Sequence, residues 1–170
     1  DRTIAGTRIR RIDDQMFPTR LYDGWNTIGA LSTPVSTEVV NLIPVGASAP
    51  SIEGDIYQYV TDRGYQAVSE LSPGIGYWMK IRGQAFLQIR ATSQGKSGVN
   101  FSAVRDAVTS NATQVTVRDN SNKNTNLYIA EQGTVAARNV FELPPVPPYE
   151  LFDVRFSNQS YVEEAASPVI

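Results

Sequence analysis

The stretch Leu71-Ser-Pro-Gly-Ile-Gly-Tyr-Trp-Met-Lys-Ile-Arg82 decides the fold of this chain. Pro73 fixes its own φ, and Gly74 can take the positive φ that the next position of a type II turn requires, so a tight turn is predicted. The residues after the turn alternate between two faces, as in a β-strand. One face carries Tyr77, Met79 and Ile81, and the other carries Trp78, Lys80 and Arg82. The pattern leaves open which face is buried, because an indole is seldom left in water whereas lysine and arginine can keep their charged ends there.

A second strand begins in the same way, with a tryptophan directly after a turn glycine. The turn residues Tyr22-Asp23-Gly24 lead into an apolar strand over Trp25–Leu31. We therefore predict that Trp25 and Trp78 pair across one small core. Tyr77, the neighbour of Trp78, is predicted to be a structural core residue as well.

Other short strands are predicted between glycine, proline and polar turns. In the first half of the chain they are Thr3–Ile12, Thr37–Pro44, Asp55–Val60, Tyr65–Val68 and Ala85–Arg90. In the second half they are Thr113–Asp119, Asn126–Ala130 and Leu151–Phe156. Val104, Ala107 and Val108 have helical spacing within Ser102–Val108, but the segment is short for a stable helix.

These patterns predict an all-β chain of two small, immunoglobulin-like β-sandwich modules with little or no helix. The first module covers residues 1–92 and contains the tryptophan core; the second covers residues 98–170. The Ser- and Gly-containing stretch Ala91–Val99 is the predicted linker. In the second module, the four prolines within residues 143–148 predict a polyproline II strap, because each proline removes a backbone donor.

The composition excludes several classes of function. The chain of 170 residues has no histidine and no cysteine, which excludes Ser-His-Asp and Cys-His catalysis, Cys/His zinc sites and disulfides. A net charge of −2 gives no basic footprint for nucleic acid, and no apolar run is long enough to span a membrane. We therefore expect no catalytic residues, no metal and no cofactor.

The acidic residues are the remaining candidates for an acid/base dyad or a calcium site. Their positions instead indicate solvent-exposed turns and strands. In Asp13-Asp14 and in Glu163-Glu164 the two carboxylates are adjacent in sequence. On a strand, the two members of such a pair point to opposite faces, so neither pair can form an acid/base dyad by itself. Asp119–Asn122 offers oxygen atoms to calcium, but Lys123 stands where a further oxygen ligand is needed. The chain is predicted to be non-enzymatic.

Three tyrosines form the candidate ligand site. Tyr57, Tyr59 and Tyr65 come from two strands of one predicted hairpin, and flat aromatic faces suit the C–H surfaces of sugar rings. The alternative is that they pack within the protein, as cross-strand aromatic residues commonly do. Exposure of the three rings in a groove would favour sugar binding, and their burial would favour packing.

Two patches resemble consecutive β modules of large bacterial surface proteins exported by type IX secretion. The first patch is Gly24-Trp25-Asn26-x-Ile28-Gly29 with Leu71-x-Pro73-Gly74-x-Gly76-Tyr77-Trp78-x-Lys80. The second is Phe141-Glu142-Leu143-Pro144-Pro145-Val146-Pro147-Pro148 followed by Phe152–Phe156. The resemblance implies export and display at the cell surface, and it implies no reaction and no catalytic residue.

The expected function is therefore a non-catalytic extracellular structural or adhesive module, either a spacer or a subunit of a bacterial cell-surface assembly or filament. Its expected partners are other protein chains or copies of itself. The alternative is a carbohydrate-binding module that contacts polysaccharide. Because the sequence starts at Asp1 without an initiator methionine, we also expect it to be a processed or excised piece of a longer protein.

Overall fold

The computed structural model describes residues 19–30, 32–47, 49–89, 101–148 and 151–166. The predicted strand Thr3–Ile12 and the predicted linker Ala91–Val99 lie outside these residues. Within them the protein is mostly β, with several antiparallel sheets arranged as in a β-sandwich, which confirms the predicted fold class.

The order of elements follows the chain from β1 to β13. The strands are β1 Arg20–Leu21, β2 Gly24–Gly29, β3 Val35–Ser36, β4 Val40–Pro44, β5 Ser51–Ile52, β6 Ile56–Val60, β7 Gly64–Val68, β8 Glu70–Leu71, β9 Gly76–Arg82, β10 Ala85–Ile89, β11 Thr113–Arg118, β12 Asn124–Glu131 and β13 Val162–Ala165. The helix α1 covers Phe101–Thr109, and 3-10 turns cover Thr37–Val39 and Arg138–Phe141.

The first half is built from sheets that face each other across one apolar core. One sheet has the order β1-β10-β4, another has the order β2-β9-β6-β7 with β5 also paired to β9, and β3 pairs with β8. Side chains from these sheets meet in a single cluster. Its buried members are Leu21, Ile28, Val35, Val40, Ile56, Leu71, Tyr77, Met79, Ile81, Ala85 and Ile89.

Strand β9 settles the question that the alternating pattern left open. Tyr77, Met79 and Ile81 are each at most 1% exposed and belong to this core. The turn before the strand has Gly74 at φ +78°, the conformation for which glycine was predicted. The Tyr77 hydroxyl accepts a hydrogen bond from the Ser72 backbone N–H at 2.7 Å, which ties the turn to the core face of the strand.

The second half contains a sheet with the order β11-β12-β13. Strands β11 and β12 form the predicted antiparallel hairpin, whereas β12 and β13 are parallel. Parallel neighbours need a long connection. Here the connection is made by residues 132–161, which we call the crossover segment. It contains the proline-rich residues Leu143–Pro148, which we call the proline strap. Among the described residues, each strand is hydrogen-bonded only to strands of its own half of the chain.

One expectation about the second half was wrong. Leu151–Phe156 is not a strand but an irregular part of the crossover segment, because the backbone N–H groups of Leu151 and Phe156 bind the nearby carbonyls of Pro148 and Ser160 instead of a neighbouring strand. Residues 101–109 form the one helix among the described residues, where Val104, Ala107 and Val108 have helical spacing, and this agrees with the small amount of helix expected. Phe101 and Val108 pack against the buried cluster of the second half, and this tertiary packing stabilises a helix that is short by itself.

The close contact between the two halves yields a prediction at Gly54. Gly54 has φ +83°, and a Cβ there would lie 2.9 Å from the Val140 carbonyl oxygen. Gly74 has φ +78° and no atom within 4 Å of the same position, so Gly74→Ala is the matched control. We expect Gly74→Ala to lower the free energy of unfolding by about 1–2 kcal/mol through backbone strain alone. Gly54→Ala should lower it by roughly 1–3 kcal/mol more, because the Val140 backbone must move. Urea unfolding measures both; equal losses would contradict the contact.

Candidate functional site

The candidate site lies on the face of the β2-β9-β6-β7 sheet that points away from the first core. Because side chains alternate along a strand, this face collects the aromatic residues that the core face leaves out. These residues, which we call the aromatic face, are Trp25, Tyr57, Tyr59, Tyr65 and Trp78. The structure thus brings the three predicted sugar-site tyrosines together on one surface.

The proline strap covers this aromatic face. Leu143 is buried in a cluster with Tyr57 and Tyr65, and the remaining aromatic residues pack around it. The Tyr65 hydroxyl donates a hydrogen bond to the Pro145 carbonyl oxygen at 2.9 Å. Aromatic grooves recognise proline-rich segments in the same way, because the extended backbone presents its carbonyls while the proline rings and apolar side chains pack on the aromatic rings.

The predicted tyrosines therefore contact the chain itself. Tyr57 is 2% exposed and Tyr65 is 9% exposed. The rings of Tyr59 and Tyr65 meet edge to face at an interplanar angle of 81°, so they do not form a flat platform. The Tyr59 hydroxyl donates to the Phe152 carbonyl oxygen at 3.0 Å.

The two tryptophans also lie on the aromatic face, and not in the first core where Tyr77 lies. Trp25 is opposite Lys80 and Trp78 is opposite Thr27 in the pairing of β2 with β9, so both indoles occupy the same side of the sheet. Each is half-buried and packs against the cluster around Leu143.

Glu142 connects the crossover segment to this face by two polar contacts. Its carboxylate lies 2.6 Å from the Lys80 ammonium and accepts a hydrogen bond from the Trp25 indole N–H at 3.2 Å. Sequence reasoning missed Glu142. The only signal in the sequence was its position directly before the proline run. Its partner Lys80 is far away in sequence and becomes its neighbour only in the folded protein.

Arg155 fixes the other end of the same segment. Its guanidinium binds both carboxylate oxygens of Asp153, at 2.7 and 2.8 Å, and donates to the Pro144 carbonyl oxygen at 2.7 Å. The guanidinium also lies 5.9 Å from the centre of the Tyr65 ring. Such a bidentate pair with a stacked guanidinium is specific to arginine.

A polar cleft of about 410 Å³ opens beside the aromatic face, where β6 and β7 meet α1, β12 and the crossover segment. The volume falls within the range of small-molecule sites. Most of its lining is polar or aromatic. These residues include Tyr57, Arg63, Tyr65, Gln66, Arg105, Asp106, Asn124, Asn126, Tyr128, Asp153 and Tyr161.

Arg105, which lines the cleft, also forms an ion pair between the two halves. Arg105 on α1 lies 2.9 Å from Asp55 and 3.2 Å from Asp106. Asp55 is only 9% exposed, and its burial raises the pKa of the carboxyl even though Arg105 acts in the opposite direction. The pair therefore holds α1 against the first half at a cost in desolvation.

Tyr57 and Tyr161, which both line the cleft, have buried hydroxyls. The two hydroxyls face each other, without a hydrogen bond of normal geometry to any group in the described part of the chain. Burial, followed by the electrostatic influence of neighbouring groups, raises the pKa of both tyrosines.

The acidic residues considered in the sequence have structural contacts. The Asp119 carboxylate accepts the backbone N–H groups of Ser121 and Lys123 within its turn. The Glu164 carboxylate accepts those of Gly133 and Val135 and pairs with Arg138. No group of three potential metal-ligating residues occurs among the described residues, and Asp13-Asp14 lies outside them. In the same part of the chain, no helix is long and apolar enough to cross a membrane.

Comparisons with protein-family models, with curated proteins and with solved structures found no match to this chain.

The contacts of the crossover segment predict that the hydroxyls of Tyr59 and Tyr65 stabilise the protein. Tyr65→Phe and Tyr59→Phe each remove one hydrogen bond to a carbonyl of the crossover segment, and each should lower the free energy of unfolding by about 1 kcal/mol. Tyr22→Phe is the control, because Tyr22 is 57% exposed and its ring remains in place. Its effect should stay within about 0.5 kcal/mol in the same urea titration. Equal effects at all three positions would contradict these two hydrogen bonds to the crossover segment.

Glu164 makes stability depend on pH. The backbone N–H of Val135, together with Arg138 and Gly133, holds the pKa of Glu164 below its ordinary value. A carboxyl with a lowered folded-state pKa stabilises the protein above its unfolded-state pKa, and this contribution is lost as pH falls through the folded-state pKa. Glu164→Gln should therefore destabilise the protein at neutral pH, and the difference from wild type should shrink below the ordinary glutamate pKa. Chemical unfolding at several pH values, with Glu163→Gln as the control, measures this; a difference that is independent of pH would contradict it.

Proposed function

We propose that the chain is a non-catalytic extracellular structural or adhesive module that acts as a subunit, or as a spacer, in a bacterial cell-surface assembly. The observation that carries the proposal is the exposed strand β11. Five of its six residues are exposed, and among the described residues β12 is the only strand paired with it. Its outer edge can therefore accept another strand by backbone hydrogen bonding.

The sequence of β11 supports this role. Thr-Gln-Val-Thr-Val-Arg is rich in β-branched residues, which favour an extended strand. Proteins usually protect an exposed edge with lysine, proline or a bulge, and β11 has neither lysine nor proline. Its one charged residue, Arg118, lies at its end. An edge of this length with no charge in its middle suits a module that associates with a neighbour, and a second copy of the chain offers the same edge.

The contacts between the halves supply the rigidity that such a module needs. The ion pairs Lys80–Glu142 and Arg105–Asp55 both connect residues of the first half to residues of the second. The proline strap adds an apolar contact with little loss of backbone freedom, because proline is already restricted in the unfolded chain. These two ion pairs thus hold the halves in one arrangement, because removing either partner would leave the other charge without its counter-ion.

The edge-strand proposal predicts that association is lost on adding a charge to β11. Val115, on β11, is 38% exposed, and Val146, in the proline strap, is 64% exposed. We expect wild type and Val146→Lys to associate as protein concentration rises, and Val115→Lys to remain monomeric, because lysine on an edge strand opposes pairing. Sedimentation velocity measures the states, and circular dichroism checks that both variants fold. A wild-type chain that stays monomeric would contradict the subunit role and leave the spacer role.

Carbohydrate binding is the second candidate function, and the polar cleft is the observation that favours it. Saccharide sites combine aromatic rings, which contact C–H surfaces, with planar amide, carboxylate and guanidinium groups, which bind adjacent hydroxyls. The cleft contains both kinds of group, whereas the aromatic face itself is covered by the proline strap.

A further inference from the structure

The outer edge of β11 presents backbone groups in a pattern that the hairpin with β12 fixes. On β12 the backbone N–H of Tyr128 donates to the Tyr161 carbonyl oxygen at 2.9 Å, so the backbone groups of Tyr128 point toward β13. Neighbouring residues of a strand direct their backbone groups to opposite sides, so those of Leu127 point toward β11. Leu127 lies opposite Val115, and these two residues therefore form a hydrogen-bonded pair.

The same alternation assigns the outer edge of β11 to its even-numbered residues. At the other end of the hairpin the Asp119 backbone N–H donates to the Lys123 carbonyl oxygen at 3.0 Å, which agrees with odd-numbered residues bonding toward β12. The remaining residues of β11 direct their N–H and C=O groups outward, where none of the described strands lies. These exposed residues are Gln114, Thr116 and Arg118.

A second copy of β11 complements this edge best when a two-fold axis passes beside Thr116. In that antiparallel arrangement Thr116 lies opposite Thr116 of the second copy, and Gln114 lies opposite Arg118. All three outward residues of each strand are then used, which gives about six backbone hydrogen bonds between the copies. An axis at Val115 or at Val117 would use only two of the three and would give about four bonds.

The side chains favour the same arrangement. Val115 of each copy lies opposite Val117 of the other, in a pair without backbone hydrogen bonds, where side chains approach each other most closely. Such apolar cross-strand pairs stabilise a sheet, and Val115 is 38% exposed in the single chain. Arg118 lies opposite the uncharged Gln114, so the two arginines of the dimer do not face each other.

We propose that two copies of this chain pair through β11 as a two-fold dimer centred on Thr116, which joins the two β11-β12-β13 sheets into one sheet with three strands from each copy. The inference rests on the proposed subunit role and names its partner, a second copy of the chain. A two-fold interface uses the same surface on both subunits and closes at two copies. Association through this edge should therefore give dimers.

Single-cysteine variants test this arrangement directly, because the chain has no cysteine of its own. Thr116→Cys places two thiols opposite each other with about 5.5 Å between their Cα atoms, a distance that a disulfide can bridge. Val115→Cys alone, or Val117→Cys alone, places the two thiols diagonally at about 7–8 Å, which a disulfide does not bridge without backbone movement. A mixture of these two variants places unlike thiols directly opposite each other.

We expect Thr116→Cys to form a disulfide dimer at least about tenfold faster than Val146→Cys, because pairing holds its two thiols in position. Val146, in the proline strap and 64% exposed, is the control for an accessible thiol outside the sheet. The mixture of Val115→Cys and Val117→Cys should also cross-link, whereas each variant alone should match the control. Non-reducing electrophoresis in a glutathione redox buffer measures the rates. Circular dichroism and sedimentation velocity of the reduced proteins check that each variant folds and associates.

Fast cross-linking of Thr116→Cys, with Val115→Cys and Val117→Cys fast only in the mixture, supports the dimer. Fast cross-linking of Val115→Cys or Val117→Cys alone places the axis elsewhere, and equal rates at all three positions indicate a parallel pair; either result overturns the inference. A wild-type chain that associates while no β11 variant cross-links faster than Val146→Cys also overturns it, but leaves the subunit role to another surface. A monomeric wild-type chain overturns both and leaves the spacer role.

Discussion

Docking of the crossover segment on the aromatic face is the interaction on which this structure depends. It buries the second side of β9, whose first side already forms the core with Tyr77 and Met79. A strand that is covered on both faces removes much more apolar surface from water than a strand with one solvent-exposed face. The same contact places α1 beside β6 and β7 and thereby creates the cleft. Fold, rigidity and candidate site therefore share one cause.

Local chemistry made much of this fold predictable from the sequence. The Pro73-Gly74 turn and the alternation after it predicted β9, and the polar turns predicted the hairpins β6–β7 and β11–β12. That Trp78 packs on the opposite face of β9 from Tyr77 could not be predicted, because the groups that cover this face come from the crossover segment. Glu142 lies 62 positions after Lys80, and no pattern within β9 contains that partner.

The absence of the strand predicted at Leu151–Phe156 and the stability of the short helix α1 have the same physical origin. Phe152, Val154 and Phe156 alternate as in a strand, yet Arg155 binds Asp153 and the Pro144 carbonyl in an irregular segment. The sequence of α1 is short for an isolated helix, yet packing on the second cluster stabilises it. In both places tertiary contacts outweighed local propensity. The cleft was missed for a related reason, since its lining comes from five separate parts of the chain.

The parallel pairing of β12 with β13 has a consequence for how the molecule acquires its shape. The antiparallel hairpins join neighbours in sequence and can form early, because closing a short loop costs little entropy. The β12–β13 pair instead requires the whole crossover segment to be laid across the other half first or at the same time. Contacts of such long sequence separation slow folding. Closure of this long loop is therefore expected after the hairpins have formed, and the step that completes the second sheet also unites the two halves.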